Sequence, residues 1–181
     1  EIRPRDWSSD VCSSDLTDAR EEFVDYVKKF GINSFVLNQE NYWDIGQFDL
    51  VIHSGVLYNI DNWQQDLECT LKAGRKTILE TAVAKYVSPF EVKIIEPPYY
   101  DNKLYGPASG IGTLMSAKNI EQLLEGKQYK RMDTSTIKVT NSNVFNYDWI
   151  ESNQVPRNYK PVNSWWENAH FGGRRLWVID S

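Results

Sequence analysis

The segment Phe48-Asp49-Leu50-Val51-Ile52-His53-Ser54-Gly55-Val56-Leu57-Tyr58-Asn59-Ile60 constrains the fold more than any other part of the chain. Leu50, Val51 and Ile52 form a continuous apolar run, the pattern of a strand covered on both faces of a parallel sheet. His53 and Ser54 fall where that strand ends, Gly55 breaks it, and an apolar turn then leads toward a helix. Ligands of open α/β sheets sit outside the carboxyl ends of the strands. This strand end, with His53, Ser54 and Gly55, is therefore a candidate floor for a binding site.

The flanking sequence alternates between helical and extended patterns. Residues 18–30 are predicted to form a helix with Phe23, Val24, Val27 and Phe30 on one face. Asp18 and Glu21 supply a D-x-x-E start, and Gly31 the stop. Residues 34–37 read as a short strand that runs into the polar Asn38-Gln39-Glu40. A helix over 62–72 carries Trp63, Leu67 and Leu71 on one side and stops at Gly74. The strand 76–81 follows, ending in Glu80-Thr81. A long irregular stretch, 82–115, is rich in Pro and Tyr, as lids and binding loops often are. Ser116 is the expected N-cap of a helix ending near Glu125, with Ile120, Leu123 and Leu124 buried. Strands are expected at 136–140 and 175–179, around an aromatic, turn-rich excursion over 141–173. The order implies an α/β fold, a parallel sheet with an antiparallel end, and no linker between domains.

Composition narrows the function classes. A net charge of −5 over 181 residues gives no electrostatic footprint for nucleic acid. No apolar run reaches the length of a membrane span. Of two cysteines, Cys12 lies near the N-terminus and Cys69 in a predicted helix, so no disulfide framework or cysteine-rich metal site is expected. A reducing, cytoplasmic setting follows. His170 is isolated, and no H-E-x-x-H, G-x-x-x-x-G-K or G-x-S-x-G pattern occurs; no metal site is expected.

The N-terminal residues carry a short tandem repeat, Ser8-Ser9-Asp10 and Ser13-Ser14-Asp15. The run Asp10-Val11-Cys12-Ser13-Ser14-Asp15-Leu16 resembles the translation of a common sequencing adapter. Residues 1–16 are accordingly expected to be a non-native tail that adds little to stability. Residues 17–181 then form the domain, with its natural start missing.

Phe48-Asp49-Leu50-Val51, Gly55-Val56-Leu57-Tyr58 and Lys72-Ala73-Gly74-Arg75-Lys76 leading into Thr77-Ile78-Leu79-Glu80 together resemble class I S-adenosylmethionine-dependent methyltransferases. The first two match that family's fourth-strand motif. The resemblance covers about residues 17–180 and implies a Rossmann-like methyltransferase sheet, mostly parallel with an antiparallel C-terminal hairpin. The family's first strand and its glycine-rich turn have no counterpart here. Gly106, Gly110 and Gly112 come too late in the chain, with no strand before them. The resemblance thus implies an S-adenosylmethionine site left incomplete, with weak or no binding, an inactive chain, and an unpaired edge on the strand at 48–54.

The resemblance also implies roles. Asn38 and Gln39 follow the family's third strand and would contact adenine, against the alternative of a plain polar loop. Ser54, Gly55 and Val56 would line the methionine end of the cofactor. His53 is a candidate base for a hydroxyl acceptor, against a core histidine hydrogen-bonded to backbone. Glu80 is a candidate base or orienting group, against a helix-capping or salt-bridged carboxylate. Asp15 falls about where the family holds the cofactor ribose, although it lies in the adapter-like run. Tyr99, Tyr100, Tyr105, Trp165 and Trp166 could form an acceptor pocket. A D-P-P-Y type motif for base methylation is missing. The expected activity is O-methylation of a small molecule or glycan. The alternative is a non-catalytic α/β fragment or interaction domain.

Overall fold

The computed structural model describes residues 15–95, 110–132 and 170–180. The chain divides into two compact units, Glu1–Asn38 and Gln39–Ser181.

The first unit is a strand-helix-strand motif: β1 (Asp15–Asp18), α1 (Glu21–Lys28) and β2 (Asn33–Val36), with β1 and β2 parallel. Its crossover helix presents Val24 to the interior, and the Ser34 hydroxyl donates to the Val24 carbonyl at 3.2 Å. The helix begins later than residue 18 because Asp18 ends β1 instead of capping α1. Its carboxylate accepts from the Arg20 backbone N–H at 2.9 Å and from Arg20 Nε at 3.0 Å. Arg20 itself occupies the N-cap position, with no side-chain capping bond. Gly31 stops the helix as expected, at φ 75°, and donates to the Lys28 carbonyl. Asp15 and Leu16, from the adapter-like run, lie inside β1 opposite Asn33 and Ser34.

The second unit is built on a four-stranded sheet of order β3-β4-β8-β7. These strands are β3 (Phe48–Ser54), β4 (Gly74–Ala84), β7 (Gln128–Arg131) and β8 (Phe171–Asp180). β3 runs parallel to β4, while β8 is antiparallel to both β4 and β7. β3 lies at one edge, with β4 as its partner in that sheet. A separate antiparallel pair, β5 (Glu91–Ile95) and β6 (Ile111–Met115), occupies part of the stretch expected to be irregular. The strand expected at 136–140 and most of the excursion lie outside the described residues. β7 comes earlier, at Gln128, where Tyr129 and Arg131 pair with Ile179 and Trp177.

α2 (Trp63–Ala73) and α3 (Ala117–Leu123) cover one face of this sheet. The core there joins Trp63, Leu67 and Leu71 of α2, Leu79 and Val83 of β4, Trp177 and Ile179 of β8, and Ile120 at α3. Such burial supplies the main drive for folding, at about 25 cal/mol per Å² of apolar surface. Ser116 caps α3, its side chain accepting from the Asn119 N–H. α2 passes into β4 without a loop, Gly74 being both the helix C-cap and the first strand residue.

The opposite face differs from the expectation of a strand covered on both sides. Leu50 is 46% and Ile52 66% exposed. Side chains alternate along a strand, so Val51 and His53 point to the α2 side while Leu50 and Ile52 point away from it.

Candidate functional site

The carboxyl ends of β3 and β4 bring together a buried polar group inside an apolar sheet. Ser54 and Glu80 are register partners at the end of the β3–β4 ladder. Across the β4–β8 ladder, Glu80 opposes Leu176 and Ala82 opposes Arg174. Glu80 and Arg174 are therefore diagonal neighbours on one face, within reach of each other. Arg174 Nε and Nη2 both donate to the Glu80 carboxylate, the second at 2.6 Å. The Ser54 hydroxyl donates to Glu80 Oε2 at 3.0 Å. Arg174 and Glu80 are both 5% exposed, so the pair is formed away from water.

Electrostatics bind this group into one unit. Burial disfavours the Arg174 cation, but the hydrogen bond and charge of Glu80, with Tyr58 beside it, outweigh that penalty. The guanidinium pKa is raised above its ordinary value. The Tyr58 ring centroid lies 5.4 Å from the guanidinium carbon. Gly55 completes the arrangement: its N–H donates to the Glu80 carbonyl at 3.0 Å and its φ is 72°. A Cβ there would stand 3.3 Å from Arg174 Nη2. Only glycine offers bare backbone at this point without strain.

His53 is directed elsewhere. Its Nε2 lies 2.7 Å from Asp66 Oδ2 of α2, and the Trp43 indole N–H donates to Asp66 Oδ1 at 2.9 Å. With the carboxylate as acceptor, Nε2 carries the proton. Gln39 Nε2 sits 3.3 Å from the same ring nitrogen. His53 is 5% exposed and Asp66 fully buried, and Nδ1 has no hydrogen-bond partner among the described residues. His53 thus shares a polar core between β3 and α2, bonded to the Asp66 side chain instead of to backbone, and the Glu80 group lies on the other face of the sheet. Asn38 closes the first unit and Gln39 opens the second. Val56 precedes the short 3-10 turn Leu57–Asn59, whose Asn59 N–H donates to the Val56 carbonyl at 2.7 Å. Tyr99, Tyr100, Tyr105, Trp165 and Trp166 lie outside the described residues.

Sequence reasoning missed Arg174, although a signal was present. Arg174-Arg175 interrupts an apolar strand, as Glu80 interrupts Ile78-Leu79 and Ala82-Val83. Opposite charges inside two neighbouring strands call for each other. Among the described residues there is no cluster of histidine, cysteine and carboxylate groups able to hold a metal ion, and no helix long and apolar enough to cross a membrane.

No family model and no curated protein matches this chain. Solved structures do. The N-terminal domain of EvdMO1, in a crystal structure in the presence of SAH and D-fucose, matches with a TM-score of 0.62 at 12% identity. That match covers 96% of this chain and 68% of the other. The same domain with SAH bound gives a TM-score of 0.60 at 12% identity, over 92% of this chain and 64% of that one. An S-adenosylmethionine-dependent methyltransferase from Clostridium acetobutylicum ATCC 824 aligns at a TM-score of 0.47 and 11% identity, over 92% of this chain and 74% of that one. The fold is the Rossmann-like methyltransferase fold, on the likeness to the EvdMO1 domain. In a Rossmann-like sheet the carboxyl ends of β3 and β4 are the ligand side. Ser54, Gly55, Glu80 and Arg174 stand on that side.

Proposed function

We propose that the chain is an S-adenosylmethionine-dependent methyltransferase domain that directs a methyl group to an oxygen of a small-molecule or sugar acceptor. The observation that carries this reading is the Ser54–Glu80–Arg174 group around the bare backbone of Gly55, at the ligand end of the sheet. The occurrence of SAH with the EvdMO1 domain supports the cofactor, and the presence of D-fucose in that crystal structure supports a sugar oxygen as acceptor.

The residues fit the methionine end of such a cofactor. Ser54, Gly55 and Val56 would line it at the turn that follows β3, a bend that the positive φ of Gly55 allows. Gln39 would meet the adenine edge. When bound, the cofactor supplies an electrophilic methyl on sulfur. The chain's task is then to hold the acceptor oxygen in line and to keep water out. Glu80, already accepting from Arg174 and Ser54, acts in this reading as a fixed negative group that orients its neighbours. His53, held by Asp66, supports β3 from behind.

Calorimetry with S-adenosylhomocysteine tests the reading. Saturable binding is expected, weak because among the described residues β3 is an edge strand of its sheet, and lost in Gly55→Val while the far-ultraviolet circular dichroism is kept. A chain that gives no binding heat at any accessible concentration would overturn the reading and leave an interaction domain in its place.

A further inference from the structure

Beyond the Glu80 group, β4 continues for four residues past the end of its pairing with β3. The chain that follows gathers three rings. Tyr86 and Phe90 have centroids 4.2 Å apart, Phe90 and His170 5.0 Å, and Tyr86 and His170 5.7 Å. Their planes are tilted by 39°, 36° and 40° respectively. All three are half-buried. Their backbones are pinned: the Lys85 N–H donates to the His170 carbonyl at 2.9 Å, and the Phe90 N–H donates to Asn119 Oδ1 at 2.7 Å. Gly172 allows this approach, since a Cβ there would lie 2.5 Å from Lys85 Cα.

The ring group joins the candidate site. Tyr86, Phe90 and Tyr58 pack on the same small apolar cluster of Ala82, Ala84 and Leu114. Tyr58 also stacks near the Arg174 guanidinium. One polar pair sits within the wall, Tyr86 Oη and His170 Nδ1 at 2.7 Å. If the phenol donates to Nδ1, its oxygen keeps lone pairs that can accept from a further hydroxyl.

We propose that Tyr86, Phe90 and His170 form the acceptor subsite, and that it takes a pyranose ring. The proposal rests on the methyltransferase reading above and names the acceptor's place within it. A pyranose has an apolar C–H face and a rim of hydroxyls. The rings supply the complementary apolar surface, and the Tyr86 oxygen accepts a hydrogen bond from one hydroxyl. Three mutually tilted rings make a faceted wall, which suits a puckered ring better than a flat aromatic one. His170 is a positioning residue here, since it fixes the direction of the Tyr86 O–H bond.

The chain has only two histidines, His53 and His170, so imidazole resonances report on the subsite with a control built in. The full chain, labelled at histidine, is titrated with D-fucose, with and without S-adenosylhomocysteine. A saturable, millimolar shift of the His170 signals is expected, with His53 unmoved. Phe90→Ala should weaken the sugar about 3- to 10-fold, the range for a lost ring stack. Tyr86→Phe should shift the His170 nitrogen signals even without ligand. If His170 does not respond to D-fucose, or responds equally to phenol, the subsite proposal falls. Binding of S-adenosylhomocysteine is read in the same samples, so failure of the methyltransferase reading shows separately.

Discussion

Glu80→Gln should be among the most damaging single substitutions in this chain, and its cost can be worked from the contacts. The carboxylate receives two donors from Arg174 and one from Ser54. Glutamine keeps the shape but offers one acceptor oxygen, and it turns an N–H₂ group toward the guanidinium donors. At least one charge-assisted bond is lost, about 1.5–3 kcal/mol. The buried Arg174 cation also loses the Glu80 charge, which brings the expected total to about 3–5 kcal/mol. For a domain of this length that corresponds to roughly 6–20 °C in Tm. The double variant Glu80→Leu/Arg174→Met removes both charges together and should recover at least half of the loss. Urea unfolding followed by tryptophan fluorescence, run as a double-mutant cycle, measures both quantities. A raised folded-state pKa gives stabilisation that is complete below the unfolded value and lost only as pH rises through the folded one. The Arg174 contribution should therefore hold constant from neutral pH to about pH 10. A Glu80→Gln loss below about 1 kcal/mol, or a double variant as unstable as the sum of the singles, would refute this account of the pair.

Further outcomes follow from single contacts. His53→Gln should cost about 1–3 kcal/mol in urea unfolding, as a change to a buried hydrogen-bonded group. If the cofactor reading holds, it should leave the pH dependence of methyl transfer unchanged. Ser116→Ala should cost about 1 kcal/mol through the lost N-cap, and should also loosen Phe90, whose N–H is 3.2 Å from Ser116 Oγ. Gly112→Ala would place a Cβ 2.6 Å from the Tyr58 carbonyl, so it should destabilise by about 1–3 kcal/mol and disturb D-fucose titrations more than unfolding at the α2 end. Ile52→Lys should leave stability nearly unchanged while lowering any concentration-dependent sedimentation, because the side chain is exposed on an edge strand.

What the sequence makes legible is the part whose signals are local. The strand Phe48–Ser54, the α2 face of Trp63, Leu67 and Leu71, and the Ser116 cap each declare themselves within one turn or one alternation. The β5–β6 hairpin was hidden because its strands are separated by the Pro- and Tyr-rich stretch, although Glu91-Val92-Lys93-Ile94 alternates. Arg174 and Asp66 were hidden for another reason. Each is a charged residue whose partner lies far along the chain, Glu80 for one and His53 for the other. Their burial is decided by strand register and helix rotation, which no short window reveals. The exposure of Leu50 and Ile52 is of the same kind: apolar character makes a strand able to be covered, but neighbouring elements decide whether it is.

The loopless junction at Ala73 and Gly74 makes helix and strand a single gear. One residue inserted there would turn α2 by about 100° relative to β4 or exchange the two faces of the strand. In the first case Asp66 swings away from His53; in the second Leu79 and Glu80 trade sides, driving a carboxylate into the Trp63–Trp177 core. A domain wired in this way can drift freely in its loops and termini, yet its length between Trp63 and Ala84 is fixed as firmly as any single side chain.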